Sequence, residues 1–248
     1  SQASGKVALL TVWSGTLAGQ VNVFVSQDML RLFAAEVSSS GVDAHALLQQ
    51  SKESRNDFAD NITLPAVNGV ADSHDPLKKL APRLPLMVNY LGEFAEKNNF
   101  TGVCLVNTEL QIYLAPGGQQ EVAEELKPYL KQAIENKSPV LMPVRRENGR
   151  LVMDVAFPIF APLYVESTGD RVVSLLLATY GVLPVTAAAT GDSNNNQYHT
   201  YILQVVDDGL QRIAPTEPSG VVELPGWTLN NGSLPLGTRI DPSLPADS

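Results

Sequence analysis

The chain has 248 residues, is 44% apolar and 17% charged, and carries a net charge of −9. That length accommodates one large domain or two small ones, with enough apolar content for a real core. The acidic balance argues against a binder of phosphate backbones, so nucleic acid is not an expected partner, and a single cysteine, Cys104, leaves no internal disulfide or cysteine-based zinc site.

Lys6–Val37 reads as a helix, with Leu10, Trp13, Leu17, Val21, Phe24, Met29, Leu32 and Phe33 recurring at three- and four-residue steps. A thirty-residue helix is about 45 Å long, more a stalk than a core element. Ser38–Gly41 interrupts it, and Asp43–Ile62 reads as a second helix. Thr63–Pro76 is a loop rich in turn formers. Leu84–Asn98 is helical. The period then changes to two: Gly102–Val106 and Gln111–Ala115 are short strands about the turn Asn107-Thr108-Glu109. In GVCLV, Cys104 reads as a small buried hydrophobe. Gln119–Leu126 is helical, and a fresh helix starts at Pro128 and runs to Lys137.

Val140–Arg146 and Leu151–Phe160 form a hairpin across Glu147-Asn148-Gly149, a strong short turn signal. Val172–Val182, with three leucines in a row, has the pattern of a strand covered on both faces and closes the sheet. Ala187–Gln197 is a polar linker. Beyond it, Tyr198–Val206 and Leu210–Ala214 make another hairpin, Val221–Leu224 a possible third strand, and Pro225–Ser248 a Pro- and Gly-rich tail.

The predicted fold is therefore α+β: a long N-terminal helix, a PAS-like five-stranded antiparallel sheet flanked by helices, and a partial second, small β-rich module. The expected divisions are 1–62, a helical stalk; 63–186, the sheet module; and 198–248, the partial module. No window of about twenty apolar residues predicts a membrane span. Without a starting Met or signal peptide, the chain reads as a piece of a longer protein.

Three stretches resemble the double-Cache extracytoplasmic sensor domains of bacterial chemoreceptors, sensor histidine kinases and diguanylate cyclases. They are DMLRLFAAEV (Asp28–Val37), the hairpin TGVCLVNTELQIYLAPGG (Thr101–Gly118), and GRLVMDVAFPIFAP…RVVSLLLATYGV (Gly149–Val182). The resemblance implies a periplasmic or extracytoplasmic ligand-sensing region, membrane-anchored in the full-length protein, non-catalytic in itself, needing no cofactor, and dimeric through its N-terminal helix. A small molecule would enter between sheet and helices of the membrane-distal module and favour one of two packings. Amino-acid-binding members carry an Arg-Trp-Tyr run that this sequence does not have, so the ligand's identity stays open.

Candidate ligand contacts follow from the residues themselves. Asp154 interrupts an apolar strand, and a buried carboxylate needs a donor, a ligand amine or water; the alternative is a place on the solvent-facing side of the pleat. Arg145 and Arg146, beside the hairpin turn, suit a bidentate clamp on a carboxylate, or are simply exposed charges flanking a turn. Tyr113, Phe157, Tyr180 and Tyr90 are aromatics that would stack on a ligand or pack the core.

Catalysis finds little support. His45, His74 and His199 have no second histidine at metal-ligand spacing, so no metal site is expected, and there is no G-x-S-x-G elbow or phosphate-binding loop. The competing non-enzymatic reading is a dimerisation or interaction module without a small ligand, distinguished by a flat sheet face without a cavity.

Overall fold

The computed structural model describes residues 15–60, 75–148, 150–162, 170–181, 202–206, 209–217 and 220–223. The expected linker Ala187–Gln197, most of the loop Thr63–Pro76, the start of the first helix and the tail beyond Glu223 lie outside the described residues. The chain divides into two compact units, one holding Gln20–Met142 and Asp154–Tyr180, the other the rest.

The first helical residues described, 15–25 (α1), end at a turn, and Gln27 is extended with φ −70° and ψ 133° before α2 (Asp28–Ser40) begins. The single helix expected over Lys6–Val37 is thus broken at Ser26–Gln27. Apolar periodicity continues across the break, which is why the pattern alone reads as one helix. α2 buries Leu30, Phe33, Ala34 and Val37, a stripe at steps of three and four, and ends at Gly41, whose φ of 67° suits a residue without a Cβ. Asp43 Oδ1 then accepts from His45 N at 3.2 Å at the start of α3 (Ala44–Asp60).

Asp75 caps α4 (Pro76–Leu80) through Leu77 N at 3.0 Å, with Pro76 in the first turn, where its missing N–H costs nothing. A 3-10 turn at Ala81–Arg83 leads into α5 (Leu84–Lys97), which buries Leu84, Met87, Val88, Leu91 and Phe94. Phe24 of α1 stacks on α5, its ring centroid 3.8 Å from Phe94 and 4.8 Å from Tyr90. α2 is also tied to the start of α5 by an exposed Glu36–Arg83 ion pair.

The strands are β1 (Phe100–Val106), β2 (Ile112–Leu114), β3 (Val140–Leu141), β4 (Arg145–Glu147), β5 (Arg150–Phe160) and β6 (Val172–Gly181). Their order is β2-β1-β6-β5-β3, with β4 also paired to β5. β1 pairs with β2 and β6, and β5 with β3 and β4, all antiparallel, so the expectation of an antiparallel sheet with flanking helices, α+β, holds. β1 and β2 are joined by a tight turn in which Asn107 Oδ1 accepts from Glu109 N and Gln111 N at 3.0 and 2.8 Å. The chain then crosses to the far edge by α6 (Lys127–Asn136) and returns through β5 and β6 to lie beside β1.

Two local expectations are corrected. Gln119–Leu126 is not a helix; only Glu124–Leu126 makes a 3-10 turn. The preceding Pro116-Gly117-Gly118 leaves a segment set by Gln119's contacts rather than by helical bonds. The strand expected over Val140–Arg146 is two short strands, interrupted at Met142-Pro143-Val144, because Pro143 has no N–H to give to the ladder. The hairpin itself is present, with Glu147 paired to Arg150 and Asn148 at φ 47°.

Helices cover both faces of the sheet. On one side Ala156, Cys104, Leu175 and Leu177 pack against Leu130 and Ala133 of α6. On the other, Phe33 of α2 reaches Tyr113, ring centroids 6.4 Å apart. In the smaller unit, β7 (Ile202–Val206), β8 (Gly209–Glu217) and β9 (Gly220–Glu223) form an antiparallel three-stranded sheet, in the order read from the sequence.

Candidate functional site

Side chains alternate along β5, so Asp154 shares the α6 face with Ala156, while Val155 and Phe157 point to the other. On β6 the same alternation puts Thr179 on the face of Leu177. Thr179 Oγ1 donates to Asp154 Oδ1 at 2.6 Å, and Asp154 is fully buried, 0% exposed. Cys104 of β1 completes this corner. Burial first, and the nearby Asp154 charge second, push its thiol up to about 12.

The polar corner extends to the edge of β1. Gly102 is the register partner of Thr179. The space a side chain would take at Gly102 is filled by the Gln119 amide: a Cβ there would collide with Gln119 Nε2, and one at Gly117 would come within 2.9 Å of Gln119 Oε1. Gln119 Oε1 is buried without a hydrogen-bond partner among the described residues. A carboxylate, a hydroxyl and an amide are therefore buried together in an otherwise apolar layer, with the Gln119 amide packed over Gly102 beside Thr179.

Among those of the seven candidate contacts whose side chains are described, only Asp154 belongs to this corner. Tyr113 and Phe157 are fully buried on the α2 side. There Ser174 Oγ donates to Val106 O at 2.8 Å, which leaves the Tyr113 hydroxyl to donate to Ser174 at 2.9 Å; burial also raises the Tyr113 phenol. Tyr180 is half-buried with its ring edge-on to Phe100, centroids 6.1 Å apart at 83°. Tyr90 is half-buried; its hydroxyl donates to Gln27 Oε1, and desolvation raises its pKa. Arg145 pairs with Glu147 at 3.1 Å within the hairpin. Arg146 is in β4, opposite Leu151, and its side chain is not among those described. Thr179 and Gln119 were not legible as candidates: a threonine in a strand and a glutamine after a Gly-Gly turn carry no chemical signature. A cleft of about 370 Å³ elsewhere in this unit is lined by none of the seven. Among the described residues no three His, Cys, Asp or Glu side chains gather as a metal site, and no helix is long and apolar enough to cross a membrane.

The Cys104 thiol makes a test of this geometry. Its folded pKa lies above its ordinary 9.0, so the folded protein keeps a proton that the unfolded chain has lost. Stability from this group is fully present below pH 9 and falls as pH rises towards 12. Between pH 9 and 10.5 the wild type is expected to lose about 1–2 kcal/mol more than Cys104→Ala, read from urea midpoints. An equal loss in both would mean that the thiol is not buried as described.

No family model matches the chain, and no curated protein matches it significantly. Solved structures do. The ligand-binding domain of the Campylobacter jejuni chemoreceptor Tlp3 in complex with L-valine is 11% identical with a TM-score of 0.34; the match covers 73% of this chain and 66% of that one, just under two thirds. The sensory domain of the same chemoreceptor is 9% identical with a TM-score of 0.35, covering 82% and 90%. The form with isoleucine bound is 10% identical with a TM-score of 0.33, covering 82% and 89%.

Proposed function

We propose that the chain is the extracytoplasmic, small-molecule-sensing region of a bacterial membrane-anchored signalling receptor, without catalysis of its own. The observation that carries this reading is the polar corner on the α6 face, where fully buried Asp154 and its donor Thr179 lie in an apolar sheet. A purely structural sheet gains nothing from burying a carboxylate where an apolar side chain would pack. A ligand donor, an amine or a hydroxyl, gains a strong charge-assisted acceptor there. Gln119 fills the space above Gly102, so an incoming ligand exchanges contacts with its amide.

The route outward runs along β5. Arg31 of α2 donates from Nε to Phe160 O at 3.1 Å and from Nη2 to Ala161 O at 2.7 Å. A shift of the strand that carries Asp154 is thereby passed to the N-terminal helices. Met29 and Leu32 of α2 and Val23 of α1 are exposed, Val23 at 67%. Their apolar surface supports dimerisation through these helices and, with a second copy docked, a readout at the membrane. The shift a ligand can impose is limited to its differential affinity for the two packings.

A thermal-shift screen of carboxylates, amines and purines tests the proposal. A ligand bound only by the folded protein raises the melting temperature, and Asp154→Asn is expected to remove that rise. No hit among the amines and purines at millimolar concentration, or an amine or purine hit that survives Asp154→Asn unchanged, would count against it and favour the interaction module.

A further inference from the structure

The break between α1 and α2 does more than end a helix, because it walls one side of the 370 Å³ cleft. The polar part of the lining is Asn22, Ser26, Arg31 and Lys137; Val25, Pro139, Pro158 and Phe160 supply the apolar part. Among the described residues no acidic side chain lines it. Two cations facing one space in a chain of net charge −9 reverse the local sign of the field, which favours an anion.

Both cations are placed by backbone geometry. The Arg31 guanidinium is pinned by its bonds to Phe160 O and Ala161 O, which fixes its plane and leaves Nη1 for a further acceptor. Lys137 sits just past the end of α6 in the left-handed region, φ 52°, which turns the chain back towards β3. The apolar lining beside these charges suits an aliphatic tail, and the volume is that of a small-molecule site.

We infer that this cleft is a second binding site, distinct from the polar corner, for a small carboxylate with an aliphatic tail. The carboxylate lies between Arg31 and Lys137, and the tail rests on Val25, Pro158 and Phe160. Because Ser26 belongs to the lining, an occupant favours the bent arrangement of α1 and α2 and acts as an effector of these helices rather than as the primary ligand.

Hexanoate is the probe, titrated into the whole chain while backbone amide NMR signals are followed. Saturable shifts are expected at Asn22, Ser26 and Phe160. Lys137→Asn removes the ammonium yet tolerates φ > 0; it is expected to weaken binding about fivefold, the loss of one exposed charge contact. Asp154→Asn is expected to leave hexanoate binding unchanged, which separates this site from the proposed sensing site. Absence of saturable shifts, equal binding by hexanol, or a Lys137→Asn variant that binds as the wild type would each overturn the inference.

Discussion

Phe157→Ala is expected to destabilise the larger unit by about 3–5 kcal/mol, a large part of the total stability of a domain this size. Phe157 is fully buried at the middle of β5, on the face that Phe33 and Tyr113 also fill. Truncation loses the transfer energy of the ring and leaves a cavity that a sheet held between two helical layers cannot collapse. Urea unfolding followed by circular dichroism measures the loss. Phe157→Leu separates packing from ligand stacking: as a core residue it should recover most of the stability and leave any ligand-induced melting shift as in the wild type. A loss below about 1 kcal/mol for the alanine variant would contradict the burial described for β5.

The second large effect is expected at Thr179. Thr179→Val keeps the shape but takes away the hydroxyl that donates to Asp154 at 2.6 Å. A hydrogen bond to a carboxylate inside a protein is worth about 1.5–3 kcal/mol, so a loss of that order is expected. Asp154→Asn combined with Thr179→Val should cost less than the two single changes added together, since the first weakens and the second removes the same hydrogen bond. Strict additivity would show that the two side chains act independently. If Asp154 serves a ligand, the single Thr179 change should also weaken ligand binding, because it removes a hydrogen bond that orients the carboxylate.

Much of the fold was readable because period and punctuation agree. The period of two at Gly102–Val106, the apolar run of Leu151–Phe160, the Asn148-Gly149 turn and Pro128 each point to an element that is present. What escaped is what only tertiary context decides. The break at Ser26–Gln27 has no proline or glycine to announce it. The helix expected over Gln119–Leu126 gave way to a segment whose glutamine packs onto two glycines. At the site, Asp154 was visible because a charge in an apolar strand is costly wherever it is buried. Its partner Thr179 is one of several strand threonines and serines by sequence, singled out only by the β5–β6 pairing. Aromatics were the least informative candidates: Phe157 and Tyr113 have the composition of a ligand box and the positions of core residues.

The space above Gly102 belongs to Gln119, and that links two residues 17 positions apart into a single unit of variation. A side chain at 102 needs a shorter one at 119, and a shortened 119 opens room beside Thr179 that a bulkier 102 or a larger ligand would take up. Among divergent chains of this architecture, these two positions should change together, and if the corner holds the ligand proposed for it, their joint size sets how large that ligand is.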